Sequence, residues 1–374
     1  MRVLMVVRQF HPYVGGLESA VLALARQLHI MGITVDIVTL NRRVRGTELG
    51  ALARHGMVGH LAVTRVPSLS RRYAMPVWIP PRRDYDLIHF HGIDGFLEVW
   101  RLLGYGGIPA VLSTHGLIFH TSRMKSLKDW YWQHAFRALG QRLTILASSA
   151  SDQAQLARIG LLAQVMANPV EWPVGVASSP RDPNLLLYLG RIAEHKGIAD
   201  LMNVFRHLRE TNPEVRLTLA GEDWDGTLAR LQPLPDGVTW IGRVPDDGKY
   251  WLIRQAGAAV FPSQAEGFGI GVVEALAQGT PVVAQNNPAY RELIHSGENG
   301  FLVDFKQVEK TSSQLQQLLG DAQLAARISA KARASVLQYR PEDIARQIME
   351  VYQNLLKVPY TPLSLRQTSQ GSTL

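Results

Sequence analysis

The 374 residues contain no cysteine, which excludes disulfides, thiolate metal ligands and a cysteine nucleophile at the outset. No apolar run approaches the roughly 18 residues that a membrane-spanning helix needs. The opening MRVLMVVRQF is too short an apolar stretch for a secretory leader, and Arg8 interrupts it. These absences lead to the expectation of a cytoplasmic protein, or one held peripherally on a membrane. Disorder-type composition is also missing, apart from a Ser/Thr/Gln-rich tail after Pro362.

What is present is 46% apolar content, material for about two domains of ordinary size. The charge is lopsided. Residues 1–173 hold 19 Lys+Arg against 10 Asp+Glu, a balance of +9, while the remainder comes to −1. A basic half of this kind suits an anionic partner, nucleic acid or a phospholipid surface, with ordinary solubilising charge as the plain alternative.

Short apolar runs alternate with helical patterns along both halves. In the first, Val3–Val7, Thr34–Leu40, Leu87–Phe90, Ala110–Ser113 and Leu143–Ala147 read as buried strands. Between the first two, Val21, Leu24, Ala25 and Leu28 share one face of a helix over Leu17–Met31. After a stretch over 168–184 dense in Pro, Ser and Gly, the alternation resumes. Strands are expected there at Leu185–Leu189, Arg216–Ala220, Val238–Ile241, Ala258–Pro262, Pro281–Ala284 and Phe301–Val303. The expected fold is α/β, two doubly wound Rossmann-like domains facing each other across a cleft. The boundaries drawn are an N-terminal domain over 1–170, a linker over 171–184 and a C-terminal domain over 185–340. A last helix over 341–358 returns to the first domain, and a flexible tail covers 359–374.

Ligands of open α/β sheets bind beyond the carboxyl ends of the strands, and two such loops carry chemistry. The first strand of the second half runs through Gly190 into RIAEHKG, which sets Arg191 and Lys196 between a strand end and a helix start, where a phosphate docks. Arginine offers a bidentate fork and lysine a compact charge; solvated loop charges are the alternative. The second loop lies in FPSQAEGFGIGVVEALAQGTPVVA, residues 261–284. There Gly267 and Gly269 admit a ligand close to the backbone, and a helix from about Ile270 aims free N–H groups forward. Carboxylates accept from vicinal hydroxyls, so Glu274 suits a ribose and Glu266 a hexose. The alternative is two carboxylates favouring a helix N-terminus. The tripeptide Asp84-Tyr85-Asp86 stands at the mouth of a predicted strand, so no metal is expected. Arg191, Lys196 and helix N-termini would stabilise the leaving group in its place.

G-R-x4-K at Gly190, Arg191 and Lys196, with E-G-F-G-x4-E from Glu266 to Glu274, resembles the family 4 retaining glycosyltransferases of GT-B architecture. The likeness covers nearly the whole chain, including a GG-x-E loop at Gly15, Gly16 and Glu18. The resemblance implies a hexosyltransferase with a nucleotide-sugar co-substrate and no cofactor. It implies Arg191 and Lys196 on the donor diphosphate, Glu274 on the ribose, and Gly15 and Gly16 beside the phosphates. Glu266, with the backbone of Gly267, Phe268 and Gly269, would hold the transferred sugar. His115, in the sequence STHG, would line that sugar from the N-terminal domain, or else be a strand-end residue with satisfied hydrogen bonds. Retention is implied too, expected through front-face attack with the leaving phosphate taking the acceptor's proton. Asn168, Pro169, Val170 and Glu171 replace the Asn-Gly-Val-Asp of many relatives, and proline fixes φ, so they stay outside the expected site.

The segments VRQFHPYVGGLE (7–18), HFHGID (89–94) and STHGLIFHTSRMK (113–125) are similar to the mannosyltransferases of xanthan- and acetan-type exopolysaccharide pathways. That likeness implies GDP-mannose as donor and a polyprenyl-diphosphate-linked oligosaccharide as acceptor. His11, Asp94 and His120 are then acceptor-side candidates, or structural. Basic–aromatic clusters over 71–83 and 122–142 fit an anionic membrane surface on the inner face of the cell membrane. Stacking of single-stranded nucleic acid lacks an accompanying RNA-binding motif, and a packed helix with snorkelling cations is the duller alternative. A transferase using a UDP-sugar, a nucleotide-sugar epimerase and a non-catalytic nucleotide-sugar or nucleic-acid binder are the competing functions.

Overall fold

The computed structural model describes residues 1–13, 15–42, 51–68, 85–93, 107–117, 130–174 and 180–357. The chain divides into two compact units, Met1–Pro169 with Arg340–Leu374, and Val170–Tyr339.

The first unit carries an eight-stranded sheet. Its strands are β1 Arg2–Val7, β2 Thr34–Leu40, β3 His55–Val58, β4 Leu61–Val66, β5 Leu87–His91, β6 Ala110–Ser113, β7 Thr144–Ala147 and β8 Gln164–Val165. The spatial order is β3-β4-β2-β1-β5-β6-β7-β8, parallel except for the β3–β4 pair. Val3 pairs with Val35 on one side and Leu87 on the other. Side chains alternate across the sheet: Val3, Met5 and Val7 join one core, Leu4 and Val6 the other. Both faces are covered, which is why these strands read as continuous apolar runs. Helix α1, Gly16–Ile30, covers the first face together with Pro341–Leu356, whose Ile344, Ile348, Met349 and Tyr352 share its core. Each such fully buried side chain contributes about 1.5–3 kcal/mol. The hairpin β3–β4 and the short β8 go beyond the sequence expectation; β3 is half polar and β8 is two exposed residues, so neither has a readable pattern.

The second unit is a six-stranded parallel sheet of β9 Asp182–Leu189, β10 Arg216–Ala220, β11 Val238–Gly242, β12 Ala256–Phe261, β13 Val282–Gln285 and β14 Phe301–Val303. Its order is β11-β10-β9-β12-β13-β14. Strand β9 begins at Asp182, three residues before the expected start, where its Pro and Asn mask the apolar pattern. The helix Ile198–Thr211 buries Ile198, Leu201, Met202, Phe205 and Leu208, a spacing of three and four that lays one stripe on the sheet. Residues 171–174 are bound into this unit: the Tyr250 hydroxyl donates to the Glu171 carbonyl, and Gln278 Nε2 to the Pro173 carbonyl at 3.3 Å.

In each sheet the chain starts at one strand, moves outward to one side, then returns and moves to the other. The switch points lie between β1 and β5 and between β9 and β12. Among the described residues no helix is long and apolar enough to cross a membrane.

Candidate active site

Both chemistry-bearing loops of the second unit leave the carboxyl ends of β9 and β12, the strands flanking its switch point. After β9 the loop returns through Gly197 at φ +69°, where a Cβ would lie 2.3 Å from the Pro262 carbonyl oxygen. Only glycine lets this loop close onto the end of β12. Arg191 is exposed, its guanidinium 5.1 Å from the centre of the Trp224 ring.

Lys196 and Glu266, far apart in sequence, meet here: Nζ lies 2.5 Å from Oε1. The Tyr290 hydroxyl donates to the same oxygen at 3.1 Å. Burial pushes the Glu266 carboxyl upward, but the Lys196 charge and hydrogen bonds from Lys196, Ser263 and Tyr290 outweigh it. The group is held below the ordinary carboxylate range. Tyr290 is 1% exposed, and burial together with the Glu266 charge pushes its hydroxyl upward, so it remains a donor. Gly269 precedes the helix Ile270–Ala277 at φ +107°, with the Tyr290 ring 2.8 Å from where a Cβ would stand. Gly267 and Phe268 are buried just ahead of it.

Glu274 sits on that helix, buried, and is engaged by a different cation. Lys249 Nζ lies 2.8 Å from its Oε1, and the Tyr250 hydroxyl 3.4 Å from the same atom. Lys249, Tyr250, Tyr290 and Trp224 are the residues that sequence reasoning missed. A lysine or tyrosine on a helix carries no local sign of the carboxylate it will meet.

The D-x-D at 84–86 behaves as a strand start where it is described, Asp86 taking the Arg2 backbone N–H at 2.7 Å. A second D-x-D, Asp223-Trp224-Asp225, is overlooked by that expectation and lies in the loop after β10. Asp225 accepts from the backbone of Glu194 at 3.1 Å and from the Thr227 hydroxyl at 2.5 Å, and Asp223 from Ala229 N at 3.3 Å. These carboxylates hold the loop together.

In the first unit, Gly15 precedes α1 and Glu18 stands in its first turn. His115 follows β6 in the left-handed region at φ +53°, uncommon for a residue with a Cβ. Its Nε2 lies 2.8 Å from Nδ1 of His91, the last residue of β5. His89, on the same face of β5, packs against His91 with ring centres 4.0 Å apart and planes tilted by 32°, and bonds the Tyr352 hydroxyl at 2.6 Å and Ser113 Oγ at 2.8 Å. Burial lowers His89 to about 3 and His115 to about 4, with a hydrogen bond to Asn168 pulling His115 the other way. Burial, then the neighbouring imidazoles, holds His91 well below its ordinary value. Asn168, outside the expected site, is thus a neighbour of His115. The carbonyl of His11 accepts from Arg65 at 3.0 Å. Asp94, His120 and the basic–aromatic residues 71–83 and 122–129 lie outside the described residues. Of the remainder of that cluster, Trp130 is exposed, while Tyr131 and Trp132 pack against the core.

Residues 14–171 match the family described as Glycosyltransferase Family 4, and residues 176–335 match Glycosyl transferases group 1. The chain is 30% identical to GDP-mannose:cellobiosyl-diphosphopolyprenol alpha-mannosyltransferase of Xanthomonas campestris, over 98% of this chain and 100% of that one. It is 29% identical to phosphatidyl-myo-inositol mannosyltransferase of Mycobacterium leprae, over 95% and 97%. Sucrose-phosphate synthase from Thermosynechococcus elongatus shares the fold with a TM-score of 0.76 at 20% identity, over 95% of this chain and 99% of that one. Fold and loops together define a two-unit GT-B enzyme of the sugar-transfer class. The chain belongs to the family 4 glycosyltransferases, and its activity is that of a hexosyltransferase.

Proposed function

We propose that the enzyme moves mannose from GDP-mannose to an oligosaccharide carried on polyprenyl diphosphate, at the inner face of the cell membrane, in exopolysaccharide synthesis. The observation that carries this reading is the full-length likeness to the Xanthomonas campestris enzyme. The excess positive charge of residues 1–173 supports an anionic surface as the place of work.

Arg191 and Lys196 take the donor diphosphate and stabilise its departure, the role a metal ion plays elsewhere. Asp86 and Asp225 are spent on the chain's own backbone, which supports that assignment. Glu274 holds the ribose, exchanging its Lys249 and Tyr250 contacts for vicinal hydroxyls or sharing them. Glu266 and the backbone of Gly267, Phe268 and Gly269 hold the sugar; Gly15 and Gly16 leave room for the phosphates, and His115 lines the sugar. Transfer retains configuration. The acceptor oxygen bonds to the anomeric carbon as its bond to the diphosphate breaks on the same face, and the departing phosphate oxygen takes the acceptor's proton. Support for a positioning role of Glu266, in place of a nucleophilic one, is that its Oε1 already accepts from both Lys196 and Tyr290. His11, Asp94 and His120 remain proposed for the acceptor side.

Thermal-shift titration against GDP-mannose, UDP-glucose, UDP-galactose and UDP-N-acetylglucosamine tests the donor. The true donor at 100 times its Kd stabilises by about 2.7 kcal/mol. A larger shift with a UDP-sugar would sink the mannose assignment. Failure to sediment with anionic vesicles at low salt would sink the membrane assignment.

A further inference from the structure

We infer that Tyr290 is a positioning residue, the donor that keeps the Glu266 carboxylate aimed at the sugar when the diphosphate draws Lys196 away. The inference rests on the proposed roles of Lys196 and Glu266. Two donors meet Oε1 of Glu266 in the structure, Lys196 Nζ at 2.5 Å and the Tyr290 hydroxyl at 3.1 Å. They differ in what they can do next. Lys196 carries three donors that rotate on a flexible four-carbon stem, so it can turn to a phosphate oxygen. A diphosphate carries more charge than one carboxylate and competes for it. Once that happens, Glu266 is a mostly buried carboxylate without its lysine, and an unpaired charge in such a place is costly.

Tyr290 has no such freedom. Its ring is buried, stands edge-on to Phe261 with centres 6.4 Å apart, and fills the space that a Cβ at Gly269 would need. Its backbone is fixed as well. Asn287 caps the helix Pro288–Leu293, its Oδ1 accepting from Tyr290 N at 2.9 Å, and its Nδ2 donates to the Ser263 carbonyl at 2.8 Å. Ser263 lies in the loop that carries Glu266, after β12, and Asn287 follows β13. One buried side chain therefore ties the loop of the carboxylate to the helix of its hydroxyl donor. A hydrogen bond to an ionised group is among the strong ones. With the hydroxyl in place Glu266 stays anionic and keeps its direction. Without it the carboxylate follows Lys196, or takes a proton and turns.

Tyr290→Phe removes one oxygen and keeps the ring. With GDP-mannose, or the UDP-sugar that outcompetes it in the titration above, kcat should fall about 10- to 100-fold. The Kd of the matching nucleoside diphosphate should move less than about threefold, which also reports a folded site. In a Glu266→Gln enzyme the same substitution should cost less than about twofold more, because Tyr290 acts through the carboxylate. The acid limb of kcat, which reports the donor-bound enzyme, should move to higher pH in Tyr290→Phe, since a carboxylate that loses a donor protonates more readily. The other titratable groups facing Glu266 are Lys196 and His195 from the loop after β9 and Tyr188 from β9 itself. All three are the same in both enzymes, so a difference between the limbs belongs to the hydroxyl. Normal kcat in Tyr290→Phe beside an impaired Glu266→Gln would overturn the inference and leave Glu266 on the sugar. Equal losses in the two backgrounds would overturn it too, as would an unmoved acid limb, which would mean that Lys196 never leaves. Full turnover in Glu266→Gln would overturn the role of Glu266 itself, and the inference with it.

Discussion

Lys196 and Glu266 have side chains only 13% and 15% exposed, so each is the other's main compensation for lost water. Removing one partner leaves a charge stranded. Lys196→Ala should cost about 3 kcal/mol in urea unfolding, and adding Glu266→Ala should recover part of it. A single variant no less stable than the double would show the pair to be uncoupled. Glu266→Gln keeps the shape and loses the charge. Turnover should fall at least about 100-fold with GDP affinity little changed, because the contact proposed for Glu266 is to the sugar. Steady-state kinetics beside calorimetry separate the two, and intact turnover would remove Glu266 from the reaction.

Glycines at loop hinges decide whether the elements can bring those residues together. Gly197 is left-handed and would place a Cβ against the Pro262 carbonyl, which is backbone and cannot swing aside. Gly197→Ala should therefore destabilise the second unit by more than about 2 kcal/mol, read as a shift of its unfolding transition in urea. Gly320 ends its helix with open space around its Cβ position, so Gly320→Ala serves as the near-neutral control. At the other end of the helix Ile270–Ala277, the Arg181 and Arg333 guanidiniums both donate to the Gln278 carbonyl, at 3.1 and 3.4 Å. Cations there offset the negative helix end. Arg333→Ala should cost about 0.3–1 kcal/mol, less at high salt.

For the molecule as a whole the three imidazoles of the first unit set a pH dependence. Unfolded, each takes a proton near 6.5; folded, His89 resists until about 3 and His115 until about 4. Between those values the unfolded chain binds more protons, so stability is full above about 6.5 and falls on acidification. The slope is about 1.4 kcal/mol per pH unit for each ring. Glu266, held below the ordinary carboxylate range, adds a loss at still lower pH as it protonates. Tm should thus drop steadily from pH 7 to 4.5, and His89→Gln should flatten the curve. A Tm level over that window would show the rings to be hydrated.

The strands were legible because both faces of each sheet are covered, which turns β1 and β12 into unbroken apolar runs that need no partner to be recognised. The loops were legible because Gly190, Gly267 and Gly269 mark close backbone approach and Arg191, Lys196, Glu266 and Glu274 mark charge in fixed order. Sequence alone therefore determined the α/β class and named the candidate residues of the site. It did not determine their partners. That Glu266 shares one oxygen between Lys196 and Tyr290, that Glu274 meets Lys249, and that His91 meets His115 were decided by parallel strands and crossover helices. Those elements join residues tens of positions apart, and a buried charge or imidazole takes its state from such neighbours.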